Sequence, residues 1–269
     1  KMNKKIVRDL IPENNPGITL VPQLMLNDAE DLRMMGAQLE QMGFTTVNLN
    51  CGCPSGTVTA KKKGSGFLLY PDDLDRFFDE VFSKNPLPVS VKTRLGYETP
   101  EEFAALLDLY NRYPIACLTV HPRVRKEKYR GPVHLDVFAD ALANSRNPVC
   151  YNGDVTTVDD LRALEAAFPE LSGIMVGRGL IADPALLRKA VGGPAASREE
   201  LRGYHDELYH GYTEAFGMAS CAVSRMKAHW FYLIHLFDGA DALEKPLRKA
   251  REGWEYETVV NQIFACWPK

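Results

Sequence analysis

Six short runs of Val, Ile and Leu punctuate the first two thirds of the chain, and a longer amphipathic stretch follows each. They are Ile18–Val21, Thr46–Leu49, Val89–Lys92, Cys117–Val120, Val149–Asn152 and Gly173–Val176. Runs this short and this apolar read as strands covered on both faces, as in a parallel sheet. Their alternation with helical stretches is the pattern of repeated βα units.

The helices between them carry start signals. Asn27-Asp28-Ala29-Glu30, Thr99-Pro100-Glu101-Glu102 and Thr157-Val158-Asp159-Asp160 each set a capping side chain ahead of a carboxylate. Such pairs satisfy the first-turn N–H groups that a helix leaves without partners. After Pro184 the pattern changes. Gly192-Gly193-Pro194 breaks the chain, and Ser197-Arg198-Glu199-Glu200 opens a long helix with Leu201, Tyr204, Leu208, Tyr212 and Phe216 on one face. The sequence therefore predicts an α/β domain over residues 1–193 and a helical bundle over 194–269.

Two architectures suit six βα units: an open doubly wound sheet, or a (β/α)8 TIM barrel whose first two units are absent from the chain. An open sheet gathers its site at one switch point. Here Gln23, Cys53, Lys92, His121, Asn152-Gly153-Asp154 and Gly177-Arg178 each follow a different strand. Six strands delivering polar residues to one rim favour the barrel.

Composition removes several classes of function. With 45% hydrophobic residues the chain has the apolar content of a folded domain, and it has no run long enough to span a membrane. Lys1-Met2-Asn3-Lys4-Lys5 leads into no apolar stretch, so no signal peptide is expected. Six cysteines in 269 residues are too sparse for a disulfide scaffold, which favours a reducing, cytoplasmic location. A net charge of −3 argues against a uniformly basic RNA-coating protein. Local patches differ: His121 to Gly131 holds five basic residues, among them Arg123 and Arg125, against the single acid Glu127.

Cys51 and Cys53 stand too close together, and too far from other Cys or His residues, for a zinc site, and no metal is expected. Cys51, Cys117 and Cys150 lie in or beside strand runs and read as core thiols. Cys53 follows a Gly, precedes a Pro and opens a long polar loop, which suits a reactive or proton-donating thiol. Lys92 at a strand's inner end needs an ion-pair partner, an anion or a cofactor. Asn152-Gly153-Asp154 and Gly177-Arg178 follow the last two strands, where barrels commonly bind phosphate.

These motifs, in this order, resemble the tRNA-dihydrouridine synthase family. The resemblance rests on Asn50 to Pro54, Gly64-Ser65-Gly66-Phe67-Leu68-Leu69, Val91-Lys92-Thr93-Arg94, the His121–Gly131 stretch, Asn152-Gly153-Asp154 and Gly177-Arg178. It implies an FMN-bound TIM barrel with a helical tRNA-binding domain, reducing uridine with NADPH. By motif position Cys53 is the proton donor. Gln23, Lys92 and His121 contact the flavin, and Asn152, Gly153, Asp154, Gly177 and Arg178 hold its phosphate end. Arg123, Arg125, Arg225 and Lys227 are expected on the RNA-facing surface of a cytoplasmic monomer that binds tRNA and neither DNA nor membrane. The family's opening strand, with its Pro-Met-x-Gly-type flavin contact, has no counterpart here.

The chemistry is coherent. The C5=C6 bond of uracil is polarised by a ring carbonyl, so hydride goes to C6 and a proton to C5. A cysteine thiol, with an ordinary pKa of ~8.5, is mostly protonated near neutral pH and so able to act as that acid. Two other readings compete: a flavin-barrel reductase of a free pyrimidine or other small enone, and a non-catalytic RNA-binding protein. A helical tail beside a basic segment speaks against the first, and flavin uptake would exclude the second.

Overall fold

The computed structural model describes residue 2 and residues 4–268. By Cα proximity the chain divides into two compact units, residues 1–153 with 168–175, and residues 154–167 with 176–269. The helical tail expected from residue 194 thus belongs to a unit that also takes in the segments flanking the last strand.

The first unit begins with α1 (Lys4–Leu10) and holds a six-stranded parallel sheet. Its elements run β1 (Gln23–Leu24), α2 (Ala29–Gln41), β2 (Val47–Cys51), α3 (Gly56–Thr59), α4 (Pro71–Lys84), β3 (Val89–Gly96), α5 (Glu102–Tyr110), β4 (Leu118–Val124), α6 (Leu135–Asn144), β5 (Val149–Tyr151) and, after an excursion into the second unit, β6 (Gly173–Ile174). Each strand pairs with the next in sequence, β1-β2-β3-β4-β5-β6. A doubly wound sheet reverses its order at the switch point, and this one does not. The winding is that of a (β/α) barrel, in six of the eight strands that a closed barrel uses.

The capping signals act much as their chemistry predicts. Asp28, rather than Asn27, caps α2 by accepting from the Asp31 N–H at 2.9 Å. Glu102 accepts from the N–H groups of Tyr97, Glu98 and Thr99. Asp160 and Thr157 bond each other's backbone N–H.

The strands are placed less well by sequence. Residues 18–21 form no strand; Ile18 is 63% exposed, and the ladder starts where Asn48 N–H donates to the Pro22 carbonyl. Gln23 therefore sits in β1 rather than beyond it. β3 and β4 extend past their apolar runs, which puts Lys92 and His121 inside strands. Between Arg94↔His121 and Gly96↔Val124 the register shifts by one residue on β4. Pro122 lies in that irregularity, the place a strand tolerates a residue without an N–H.

Side-chain alternation gives the sheet two unlike faces. Cys51, Thr93, Val91, Leu118, Val120, Val149 and Tyr151 are buried on the helix-covered side, where Thr93 and Tyr110 of α5 bond through their hydroxyls at 2.9 Å. The opposite face is polar and falls into layers set by register. Gln23, Asn48 and Ser90 make one, and Asn50, Lys92, Thr119, Cys150 and Gly173 make the next. Arg94 and His121 begin a third.

The second unit comprises α7 (Val158–Ala167), α8 (Arg178–Ala182), α9 (Leu186–Ala190), α10 (Arg198–Phe216), α11 (Ala219–Leu233), α12 (Glu244–Lys249) and α13 (Gly253–Ala265). Ser197 and Glu200 form the expected reciprocal capping box, and Gly217 ends α10 in the left-handed region. Leu201, Val223, Met226, Trp230, Phe237, Tyr256, Ile263 and Phe264 form the core, with Tyr204, Leu208 and Tyr212 packed against it. Inside it the Tyr256 hydroxyl accepts from Trp230 Nε1 at 2.8 Å and donates to His205 Nε2 at 2.6 Å. His205 Nδ1 in turn donates to Asp206 at 2.7 Å.

Candidate active site

Cys53 stands three residues beyond Asn50 on a loop whose backbone is held from several sides. Asn50 Oδ1 accepts from the N–H groups of Gly52 at 3.0 Å and Cys53 at 2.9 Å. The Cys53 carbonyl accepts from Ser65 N at 3.1 Å and Ser65 Oγ at 2.9 Å. Gly64 has φ +57°, and a Cβ there would lie 2.8 Å from the Cys53 carbonyl oxygen, so glycine is required. The Gly64-Ser65-Gly66 motif thus folds back onto Cys53 and leaves the residue half-buried. Cys51 is different: it is fully buried on the helix side, and burial pushes its thiol up to about 12. Cys51 ends β2 on the helix-covered side, whereas Cys53 lies on the loop beyond it, which Arg94 of the polar face holds by donating to the Gly52 carbonyl.

That polar face is cationic. Lys92 is lowered to about 8, first by burial and then by the neighbouring Arg94, and among the described residues it has no ion-pair partner. Arg94, 2% exposed, spans two loops: Nε donates to the Gly52 carbonyl at 2.8 Å, and Nη1 to those of Val124 at 3.1 Å and Lys128 at 2.7 Å. It ties the Cys53 loop to the basic segment, a role the sequence reading missed. Its clue was present, since Lys92 and Arg94 share a strand face at spacing two.

The basic segment is folded rather than splayed. Arg123 is 1% exposed; its guanidinium donates to the Gly131 carbonyl and sits 3.3 Å from His121 Nε2. Its expected place on an RNA-facing surface is therefore corrected, because burial and these bonds tie it into the fold. Glu127 accepts from Val124 N at 2.7 Å and from His134 Nε2 at 2.8 Å, closing the segment on itself. Arg125 remains half-exposed, stacked over Tyr97.

Asn152 Nδ2 donates to the Met175 carbonyl at 2.8 Å, which joins the ends of β5 and β6. Gly153 is buried, and a Cβ on it would lie 3.1 Å from the Tyr151 hydroxyl. The first unit thus gathers Gln23, Cys53, Lys92, His121, Asn152 and Gly153 at its polar face. Asp154, Gly177 and Arg178 belong to the second unit, where Arg178 and Asp154 form an ion pair at 2.7 Å and Gly177 precedes α8. In the same unit Arg225 is exposed, its guanidinium 5.7 Å from the Phe216 ring. Lys227 is not available to a phosphate in the way expected, because its ammonium donates to the carbonyls of Arg248 and Ala250 at the end of α12.

A face with Lys92 and Arg94 on it suits an electron-poor heterocycle that gains negative charge during reaction. The sequence model of the dihydrouridine synthase family matches residues 1–252. The chain belongs to the dihydrouridine synthase family. It is 34% identical over 175 residues to a probable tRNA-dihydrouridine synthase of Staphylococcus aureus, covering 63% of this chain and 53% of that protein. It is 32% identical over 199 residues to the tRNA-dihydrouridine(16) synthase of Pseudomonas putida, covering 72% of this chain and 59% of that protein. The chain thus spans between half and three fifths of the length of these dihydrouridine synthase relatives. Among solved structures, histamine dehydrogenase from Rhizobium sp. 4-9 aligns at 12% identity with a TM-score of 0.47, over 71% of this chain and 28% of that one. Morphinone reductase aligns at 17% identity with a TM-score of 0.45, over 63% and 50%.

Proposed function

We propose that the protein is a tRNA-dihydrouridine synthase that reduces a uridine base to 5,6-dihydrouridine, with FMN as cofactor and NADPH as reductant. The observation that carries this reading is the Cys53 loop: a half-buried thiol fixed through its backbone at the edge of a cationic sheet face, within a chain of this family. FMN, when bound, supplies hydride to uracil C6. Gln23, Lys92 and His121 would hold its ring system, and Asn152, Gly153, Asp154, Gly177 and Arg178 its phosphate end.

The protein's own residues then do three things. Lys92, at the flavin ring system, places a positive charge where negative charge develops, and Arg94 holds the Cys53 loop against the same face. Cys53 delivers the proton to C5, and a group already hydrogen-bonded into place does so at little reorganisation cost. Arg125 and Arg225 contact phosphates, which helps offset the few kcal/mol of extracting the base from its stack. In this reading residues 1–193 form the flavin-binding part and 194–269 the tRNA-binding part. The protein acts as a monomer in the cytoplasm, where its six cysteines stay reduced, and binds tRNA rather than DNA.

The test uses tRNA transcribed without modification. Incubation with the chain, FMN and NADPH should yield nucleosides two mass units heavier than uridine. Reduction of free uridine at a comparable rate, with tRNA untouched, would instead identify a small-molecule reductase.

A further inference from the structure

The Cys53 loop is anchored through a line of side chains that reaches back across three strands. Asn50 accepts from Gly52 and Cys53 N–H through Oδ1, and its Nδ2 donates to Gln23 Oε1 at 2.8 Å. Gln23 Nε2 donates to Asn48 Oδ1 at 2.8 Å. Asn48 Nδ2 donates to Ser90 Oγ at 2.9 Å, and that hydroxyl donates to the Val47 carbonyl at 3.3 Å.

Both ends of the line are main-chain groups: N–H donors at Gly52 and Cys53, and a carbonyl acceptor at Val47. The polarity of every link between them is therefore set. Turning over any one amide would bring donor against donor on one side and acceptor against acceptor on the other. Asn48 and Ser90 are buried, where an unmade bond is costly and a satisfied network is rigid. β1 pairs with β2 through only two residues, so this side-chain ladder supplies much of its lateral attachment.

We propose that Asn48 and Ser90 are positioning residues: they fix the orientation of the Gln23 amide and, through Asn50, hold the Cys53 backbone in its reactive place. The inference rests on the reading of Cys53 as the working thiol. If the ladder served only to stabilise the sheet, weakening it would lower stability and leave the chemistry of Cys53 alone.

The experiment is alkylation of the full chain by iodoacetamide at fixed pH, resolved by peptide mass spectrometry, with Cys221 of the other unit as internal control. Ser90→Ala removes the partner of Asn48 Nδ2 and so loosens the amide that orients Gln23. It should raise the Cys53 alkylation rate by about threefold to tenfold, the scale of one lost hydrogen bond, without changing Cys221. Asn50→Ala, which removes the acceptor itself, should do at least as much. Ser90→Thr keeps a hydroxyl and should return the rate to within about twofold of wild type. A folded Ser90→Ala protein with the wild-type Cys53 rate overturns the proposal, as does a Ser90→Thr protein indistinguishable from Ser90→Ala. Should Ser90→Ala not fold, Asn48→Leu and Asn48→Asp replace it: a faster rate in the Leu variant alone supports the proposal, and equal rates in the two overturn it. A chain that makes no dihydrouridine would refute the function above and leave these rates as they are.

Discussion

Lys92 shows how a single residue records what its surroundings are for. Burial and the adjacent Arg94 lower its ammonium to about 8, so folding carries an uncompensated charge at neutral pH. The sign follows from proton linkage. Between pH 8 and the unfolded lysine value of ~10.4, the unfolded chain binds more protons than the folded one, so stability should rise with pH across that window. Lys92→Met should remove that rise and stabilise the ligand-free protein at pH 7 by on the order of 1–3 kcal/mol. Urea unfolding of both proteins at pH 7 and pH 9.5 checks this; a destabilised Met variant would mean that Lys92 holds the fold rather than waiting for an anion. Sequence already flagged Lys92 as an awkward core residue. It gave no hint that Arg123 would be buried, because a run of basic residues reads as solvated and nothing local shows the Gly131 carbonyl folding back to accept from it.

Among elements, the helices were legible and the strands only partly so. Helix starts are encoded by residues within one turn of each other, as at Ser197 and Glu200. Strand ends depend on partners distant in sequence: β3 runs on to Gly96 because β4 is there to pair with it, and residues 18–21 stay unpaired for want of a partner. The helical unit contains a further element-scale feature that its apolar periodicity hides. His205 on α10 is buried between Asp206 and the Tyr256 hydroxyl of α13, and burial lowers its pKa despite the carboxylate. Because the unfolded histidine takes up a proton near pH ~6.5 and the folded one resists it, this unit should lose stability as pH falls below that value. Tyr256→Phe leaves both Trp230 Nε1 and His205 Nε2 without a partner, and should cost about 1–3 kcal/mol. Thermal melts between pH 7.5 and 5 check both statements. A Tyr256→Phe protein as stable as wild type would show that water satisfies those groups.

At the scale of the molecule, the sequential strand order and the family match agree on a (β/α)-barrel sheet of the dihydrouridine synthase family. With a net charge of −3, the tRNA binding proposed above would fall to local groups. Since Lys227 caps α12, Arg225 is the cleaner probe of the tail. Arg225→Ala should weaken tRNA binding and reduce the slope of log affinity against log salt by about 0.7–0.9, with flavin content unchanged. An unaltered slope in filter-binding titrations would move the RNA surface elsewhere. The central claim, that Cys53 protonates a uracil reduced in tRNA, is tested most directly by dihydrouridine formation in unmodified tRNA with wild type, Cys53→Ala and Cys51→Ala. Cys53→Ala should keep flavin and its reduction by NADPH yet lose about 10²–10⁴-fold in turnover, while Cys51→Ala, altered only on the helix-covered side, stays near wild type. Equal loss in both variants, or full turnover in Cys53→Ala, would contradict it.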